Sequence, residues 1–206
     1  MKITRAIDLL APVGFLLLLA AGCVNLGKGT TSPTRLFHLA PLAASEVTAH
    51  HSSLKAGPLG VGPLSFPEYL NRPQIVTRIG ENEIRTADFA NWAEPLQRNF
   101  LRVLAENLVL LLGSDAVYTH PWRSNLRPAY RLEVKVIRFD ADPTGDAVLT
   151  VDWEILDRRS NPVSPQKKSI FREAVNGRDD PAVVKAMSNA LGAFSRAAAA
   201  QIAAFK

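Results

Sequence analysis

The sequence predicts an α+β fold, a single layered domain in which an antiparallel β-sheet packs against two main amphipathic helices. Three patterns carry that expectation. Trp92, Leu96, Phe100, Val103, Leu104, Asn107, Leu108 and Leu111 recur mostly at three- and four-residue intervals, which puts them on one face of a helix over about residues 89–112. Tyr130, Leu132, Val134 and Val136 alternate with Arg131, Glu133 and Lys135, and Ala147, Leu149, Val151, Trp153 and Ile155 repeat the period of two, as antiparallel strands with one wet face do. Val184, Met187, Leu191, Phe194, Ala198, Ile202 and Phe205 return to helical spacing near the C-terminus.

The elements follow in order. "TRLFHLA" (34–40) reads as a short first strand, and the small, polar stretch 40–57 as a loop without sustained period. "PLGVGPL" (58–64) resumes extended structure, and Pro63 with Pro67 argues for a fraying or edge strand, because proline cannot donate to a ladder. "PQIVTRIGENEIRTA" (73–87) carries two extended pieces around "GENE", a hairpin signal. The first long helix stops at Gly113. "DADPTGD" (140–146) is turn chemistry between the two alternating strands, and "QKKSIFREAV" (166–175) offers a third. Asp179 or Asp180 caps the last helix, with Pro181 in its first turn.

The front end has a different character. Lys2 and Arg5 precede an apolar run from Leu9 to Ala21 that ends in small residues, the layout of a secretory signal. A spanning helix needs about 20 apolar residues, and this run is shorter and interrupted by Pro12 and Gly14. Gly22 and then Cys23, the one cysteine of the chain, follow it. A lone cysteine is often a buried small hydrophobe or an unpaired thiol, and an ordinary secreted protein could be cleaved nearby. Here the cysteine directly follows a small-residue cleavage site, with no second cysteine to pair with it. "LLLLAAGC" resembles the lipobox of bacterial lipoproteins, with Ala20 where leucine is usual. The resemblance implies cleavage before Cys23 and acyl chains on its sulfur and freed amine. One acyl chain, at about 0.8 kcal/mol per CH₂, holds a protein only marginally, so stable attachment takes more than one. The expected divisions are a signal peptide over 1–22, a lipidated flexible tether over 23–33, and one domain over 34–206. "VNLGKGTTSP" (24–33) reaches at most about 35 Å when extended, which keeps the body close to a membrane.

Composition narrows the partners. Without Lys2, Arg5 and Asp8, which fall in the first 22 residues, the chain keeps 22 basic and 18 acidic side chains, a net charge of +4. The charges are interspersed, which supports solubility more than a nucleic-acid surface. With no disulfide available, the core must hold the fold alone.

Candidate catalytic and metal-binding sets are thin, so no cofactor, metal or catalytic residue is assigned. His38, His50, His51 and His120 show neither paired ligand spacing nor an acid partner at a telling distance. "GVG" (60–62) lacks the third glycine of a dinucleotide loop and reads as a strand needing close backbone approach. Asp140, Asp142 and Asp146 offer oxygen ligands as calcium requires, but the later bidentate glutamate of the helical calcium loop is missing, and a hairpin turn is favoured. Trp92, Trp122 and Trp153 read as core for at least two of the three. The segment "PLSFPEYLNRP" (63–73) stands apart. Three prolines stiffen it, Phe66, Tyr69 and Leu70 anchor it, and ordering it costs little entropy, which suits a contact surface. The competing reading folds Phe66 and Tyr69 back over the core. Phe66, Pro67, Glu68, Tyr69, Leu70 and Arg72 are the candidate contact residues.

"LGVGPLSFPEYLNRPQIVTR", "ANWAEPLQRNFLRVLAENL", "HPW" and "YRLEVKVIRFDAD", in that order, resemble the PqiC-like family of ABC-type transport auxiliary lipoproteins. Pro67, Tyr69, Leu70, Arg72, Pro73, Trp92, Pro95, Leu96 and Asn107 match the family pattern, none of them catalytic, while loop 41–56 matches nothing in it. The resemblance implies a lipid-anchored protein on the periplasmic face of the outer membrane, working beside a PqiB-like MCE-domain protein in intermembrane lipid transport. Val24 after the cysteine is compatible with outer-membrane sorting. The expected function is therefore non-enzymatic docking of an MCE-type channel, anchored by acyl chains on Cys23, with the 66–72 loop contacting a partner or a neighbouring copy. A rival is a direct lipid carrier, which needs an apolar pocket of several hundred Å³ that the fully used helix stripes leave no room for. An envelope hydrolase is disfavoured for want of a nucleophile, base and orienting group.

Overall fold

A computed structural model describes residues 33–46, 57–123 and 125–204. Cys23, the signal peptide, the tether as far as residue 32, His50, His51 and Phe205 lie outside them. Residues from Thr34 onward form one compact unit. Eight strands and two long helices alternate as β1 (Arg35–Phe37), β2 (Leu59–Ser65), β3 (Gln74–Arg78), β4 (Ile84–Trp92), α1 (Leu96–Leu112), β5 (Val117–Thr119), β6 (Tyr130–Ala141), β7 (Asp146–Asp157), β8 (Lys167–Ala174) and α2 (Asp180–Ala203). Short 3₁₀ turns occupy Ala44–Glu46 and Glu68–Leu70.

The α+β class is as expected, and the sheet is mixed. β6 is its branch point: it pairs antiparallel with β7, which pairs antiparallel with β8, and parallel with β2 over its first half and with β3 at Ala141. β3 and β4 form the hairpin around "GENE", and β4 pairs in parallel with β1. β5, which the sequence did not announce, adds a parallel strand outside β2. Three residues are too few to show a period.

Two expectations are corrected. β2 is an inner strand between β5 and β6, not an edge. Proline is tolerated there because the register shifts between Val61 and Leu64 and β5 pairs only with residues 59–61, so no ladder bond is asked of Pro63. Helix α1 begins at Leu96 rather than near 89, because Phe89–Trp92 belong to β4 and the preference of a pre-proline residue for extended backbone turns the chain at Glu94. The Pro95 carbonyl then accepts the first helical bonds, from Arg98 and Asn99 N–H. Gly113, at φ 59°, ends the helix in the left-handed conformation. At α2, the Asp179 side chain accepts from Ala182 N–H as an N-cap.

Both helices lie on the sheet and against each other, α1 over β2 and β5, α2 over β6, β7 and β8. Phe100, Leu104, Leu108, Leu132, Phe139, Leu149, Ile155, Leu191 and Phe194 are fully buried between them. Such burial is worth about 1.5–3 kcal/mol per large apolar side chain, which makes this layer the main source of stability. Trp92 and Trp153 join it, while Trp122 is half-buried on the loop that crosses from β5 to β6. That loop explains the "GVG" motif. A Cβ on Gly60 would stand 2.9 Å from the Trp122 ring and 2.9 Å from Pro128, so only glycine admits the crossing loop.

Candidate functional site

The stretch 63–73 continues from β2 and is pinned to the body at several points. The Phe66 ring meets Phe100 edge-on at 5.3 Å, and Phe100 meets Phe139 in the same way at 5.4 Å. Leu70 is buried beneath the 3₁₀ turn, which closes through Leu70 N–H to Pro67 O and Asn71 N–H to Glu68 O, each 3.0 Å. Gln97 of α1 donates to the Leu64 carbonyl at 2.7 Å, and Trp92 N–H to Pro73 O at 2.6 Å. The segment is thus fastened at both ends.

Its central fastening is ionic. Tyr69 donates its hydroxyl to Asp140 Oδ2 at 2.7 Å, while Arg138 Nε donates to Asp140 Oδ1 at 2.7 Å and Arg78 stands 3.6 Å away. Asp140 has no exposed surface, so these groups replace its hydration. Burial first, and then the Asp140 charge, hold the Tyr69 hydroxyl well above the ordinary tyrosine range. Beside it, Arg138 and Arg172 face Asp142, and Arg172 reaches towards Asp146. Burial alone would raise the Asp142 carboxyl, but hydrogen bonds from the Thr144 hydroxyl, Asp146 and Thr144 N–H, and Arg172 hold it below the usual carboxylate range. The three aspartates of "DADPTGD" therefore face arginines, and the segment is the hairpin turn between β6 and β7.

Of the six contact candidates, Leu70 is buried, Phe66, Pro67 and Tyr69 are half-buried, and Glu68 and Arg72 are exposed. The Phe66 and Tyr69 rings pack back against the core, as the competing reading has it, while Glu68 and Arg72 face outward. With Phe66, Leu70, Pro73 and Trp92, Arg72 lines an open cleft of about 350 Å³.

A second constellation was not recognised in the sequence. The strap that follows β1 is held by polar side chains of both helices. Leu39 N–H donates to Asn99 Oδ1 at 2.6 Å, Leu42 N–H to Asn107 Oδ1 at 2.8 Å, and Ala40 N–H to Ser188 Oγ at 3.1 Å. Asn107 in turn donates to Ser195 Oγ at 3.0 Å, and Asn99 to Glu94 at 3.0 Å. Asn99, Asn107 and Ser195 are fully buried. Leu42 packs where a side chain on Gly192 would come within 2.7 Å. The one available signal was an asparagine within an apolar stripe, since a buried amide requires partners.

Taken together, the described residues present a loop closed onto a packed α+β body, with Glu68 and Arg72 exposed on it. Among them no group of three or more His, Cys, Asp or Glu converges as a metal centre would, and no helix is long and apolar enough to cross a membrane. The family model of the ABC-type transport auxiliary lipoprotein component matches residues 37–199, and the chain belongs to that family. Membership makes it a lipoprotein auxiliary of a transport system in the cell envelope, in a family of transport components rather than enzymes. No curated protein sequence matches the chain. Among solved structures, a Xanthomonas campestris protein of the DUF330 family model aligns with a TM-score of 0.69 at 18% identity, covering 81% of this chain and 93% of its own. A crystal structure of an uncharacterized protein aligns with a TM-score of 0.68 at 18% identity, covering 82% and 99%. Both share the fold.

Proposed function

We propose that the chain is anchored by acyl chains on Cys23 to the periplasmic face of the outer membrane, where it docks an MCE-type lipid-transport channel without catalysing a reaction. The observation that carries this reading is the 66–72 loop. Its apolar residues are committed to the core and to Asp140, so Glu68 and Arg72 are held outward on a preformed support, which lowers the ordering cost of binding. A carrier that encloses an acyl chain would need space between sheet and helices, and Phe100, Phe139, Phe194 and their neighbours fill the described part of that layer.

The test is affinity capture of the protein from detergent-solubilised envelopes, for wild type, Cys23→Ser and the double variant Glu68→Ala/Arg72→Ala, with mass spectrometry of proteins and lipids. Docking predicts an MCE-domain protein without stoichiometric lipid, lost in the double variant while its circular dichroism is unchanged. Phospholipid in fixed ratio without such a partner would establish the carrier instead. Cys23→Ser that still takes up acyl label and stays with membranes would remove the anchor assignment.

A further inference from the structure

The first strand of the sheet and its partner β4 carry apolar side chains on the side away from the core. Parallel pairing of Arg35 with Ala90, Leu36 with Asn91 and Phe37 with Trp92 places Phe37, Ala90 and Trp92 on the face that packs on the core, and Leu36, Phe89 and Asn91 on the opposite face. Leu36 is 67% and Phe89 50% exposed. Phe89 is turned out by an irregularity in β4: Gln74 pairs with Asn91 and Val76 with Thr86, so residues 87–90 stand against the single β3 residue Ile75. Bulges of this kind re-aim side chains. The outer strands thus present a leucine and a phenylalanine to the surroundings, each left at least half uncovered by the described residues.

The position of this face along the chain supplies the occupant. Leu36 lies thirteen residues after Cys23, so a membrane holding an acyl chain at Cys23 is within reach of β1 before any other strand. So short a connection gives a local concentration on the order of millimolar, at which a contact too weak to act alone becomes populated. Arg35, the one charge of β1, lies over the Phe37 ring on the other side of the strand, so β1 presents Leu36 alone on its outward face, which suits an apolar contact rather than recognition of anionic headgroups.

We propose that the outward face of β1 and β4, centred on Leu36 and Phe89, rests in the surface of the lipid layer that holds the anchor and so orients the body on the membrane. The inference rests on the anchor at Cys23 proposed above. Its test does not require the cell to have attached that anchor.

The mature chain from Cys23 is coupled through its one thiol to a maleimide phospholipid in phosphatidylcholine vesicles, and in parallel to a soluble maleimide polymer. Hydroxyl-radical labelling then reads side-chain exposure, with Tyr118 and Ile170, also exposed, as internal references. The proposal expects labelling of Leu36 and Phe89 to fall several-fold on vesicles while Tyr118 and Ile170 keep theirs, in high and low salt alike. Equal labelling of Leu36 and Phe89 in the two preparations overturns it, as does an equal loss at the references. Protection that appears in the soluble preparation as protein concentration rises assigns the face to a second copy and also overturns it. Absence of acyl label on Cys23 in cells would instead sink the anchor reading and leave the footprint to judge the face alone.

Discussion

The hydroxyl of Tyr69 donates to Asp140 Oδ2 at 2.7 Å across 71 residues of chain, closing the 66–72 loop onto a carboxylate with no exposed surface. Replacing the hydroxyl by hydrogen removes one donor from a buried charge whose other partners remain. Tyr69→Phe is expected to lower the unfolding free energy in urea by about 1.5–3 kcal/mol. The pair also makes an alkaline prediction. Because the folded state raises the Tyr69 pKa, its contribution is complete below the ordinary tyrosine value of about 10 and is lost as pH rises from there through the folded value. Wild-type stability should fall more steeply above about pH 10 than that of Tyr69→Phe; parallel curves would show that the bond does not couple proton binding to folding.

At the acid end one contributing group is Asp142, whose folded pKa is lowered by Thr144, Asp146 and Arg172 against the effect of burial. Its contribution is present above the ordinary carboxylate value of about 4 and disappears as pH falls through the lower folded value. Asp142→Asn should cost about 0.5–1 kcal/mol at neutral pH, a small figure because Arg172 is half-exposed, and the gap from wild type should close in acid. A gap independent of pH would mean that hydrogen-bond geometry, not charge, is what Asp142 contributes.

The strap is held by amides, so its loosening is separable from global unfolding. Asn107→Ala leaves the Leu42 N–H without its acceptor and Ser195 without its donor inside the helix pair. The expected loss is about 1–3 kcal/mol, with amide exchange accelerated at 39–42 more than in β6 or β7. Uniform acceleration would show that the strap and the body open together.

Gly60→Ala places a methyl group against the Trp122 and Pro128 rings, neither of which can turn aside without moving the crossing loop. A cost of about 1–3 kcal/mol is expected, together with a shift in tryptophan emission, since Trp122 is the half-buried indole while Trp92 and Trp153 lie in the core. Gly145→Ala serves as the comparison: its φ of 97° makes the substitution costly, but nothing lies within 4 Å of the added methyl, so the emission should stay unchanged.

What the sequence by itself determined is local. The stripe Leu96, Phe100, Leu104, Leu108 announces α1, the alternation through Leu132 and Val134 announces β6, and Asp179 with Pro181 announces the start of α2, because each element buries one side of itself and its period records which side. The proposed reading of "LLLLAAGC" as a processing signal likewise rests on adjacent residues alone. The tertiary structure decided what those faces meet. That β2 lies inside a mixed sheet, that Asn99 and Asn107 receive a strap 60 and 65 residues away, and that Tyr69 finds Asp140 leave no periodic trace. A hydrogen bond between distant segments constrains one residue on each, and one residue carries no period. The outward turn of Leu36 and Phe89 belongs to the same class, since a period marks the buried side of a strand and the pairing of β1 with β4 decides what stands on the other.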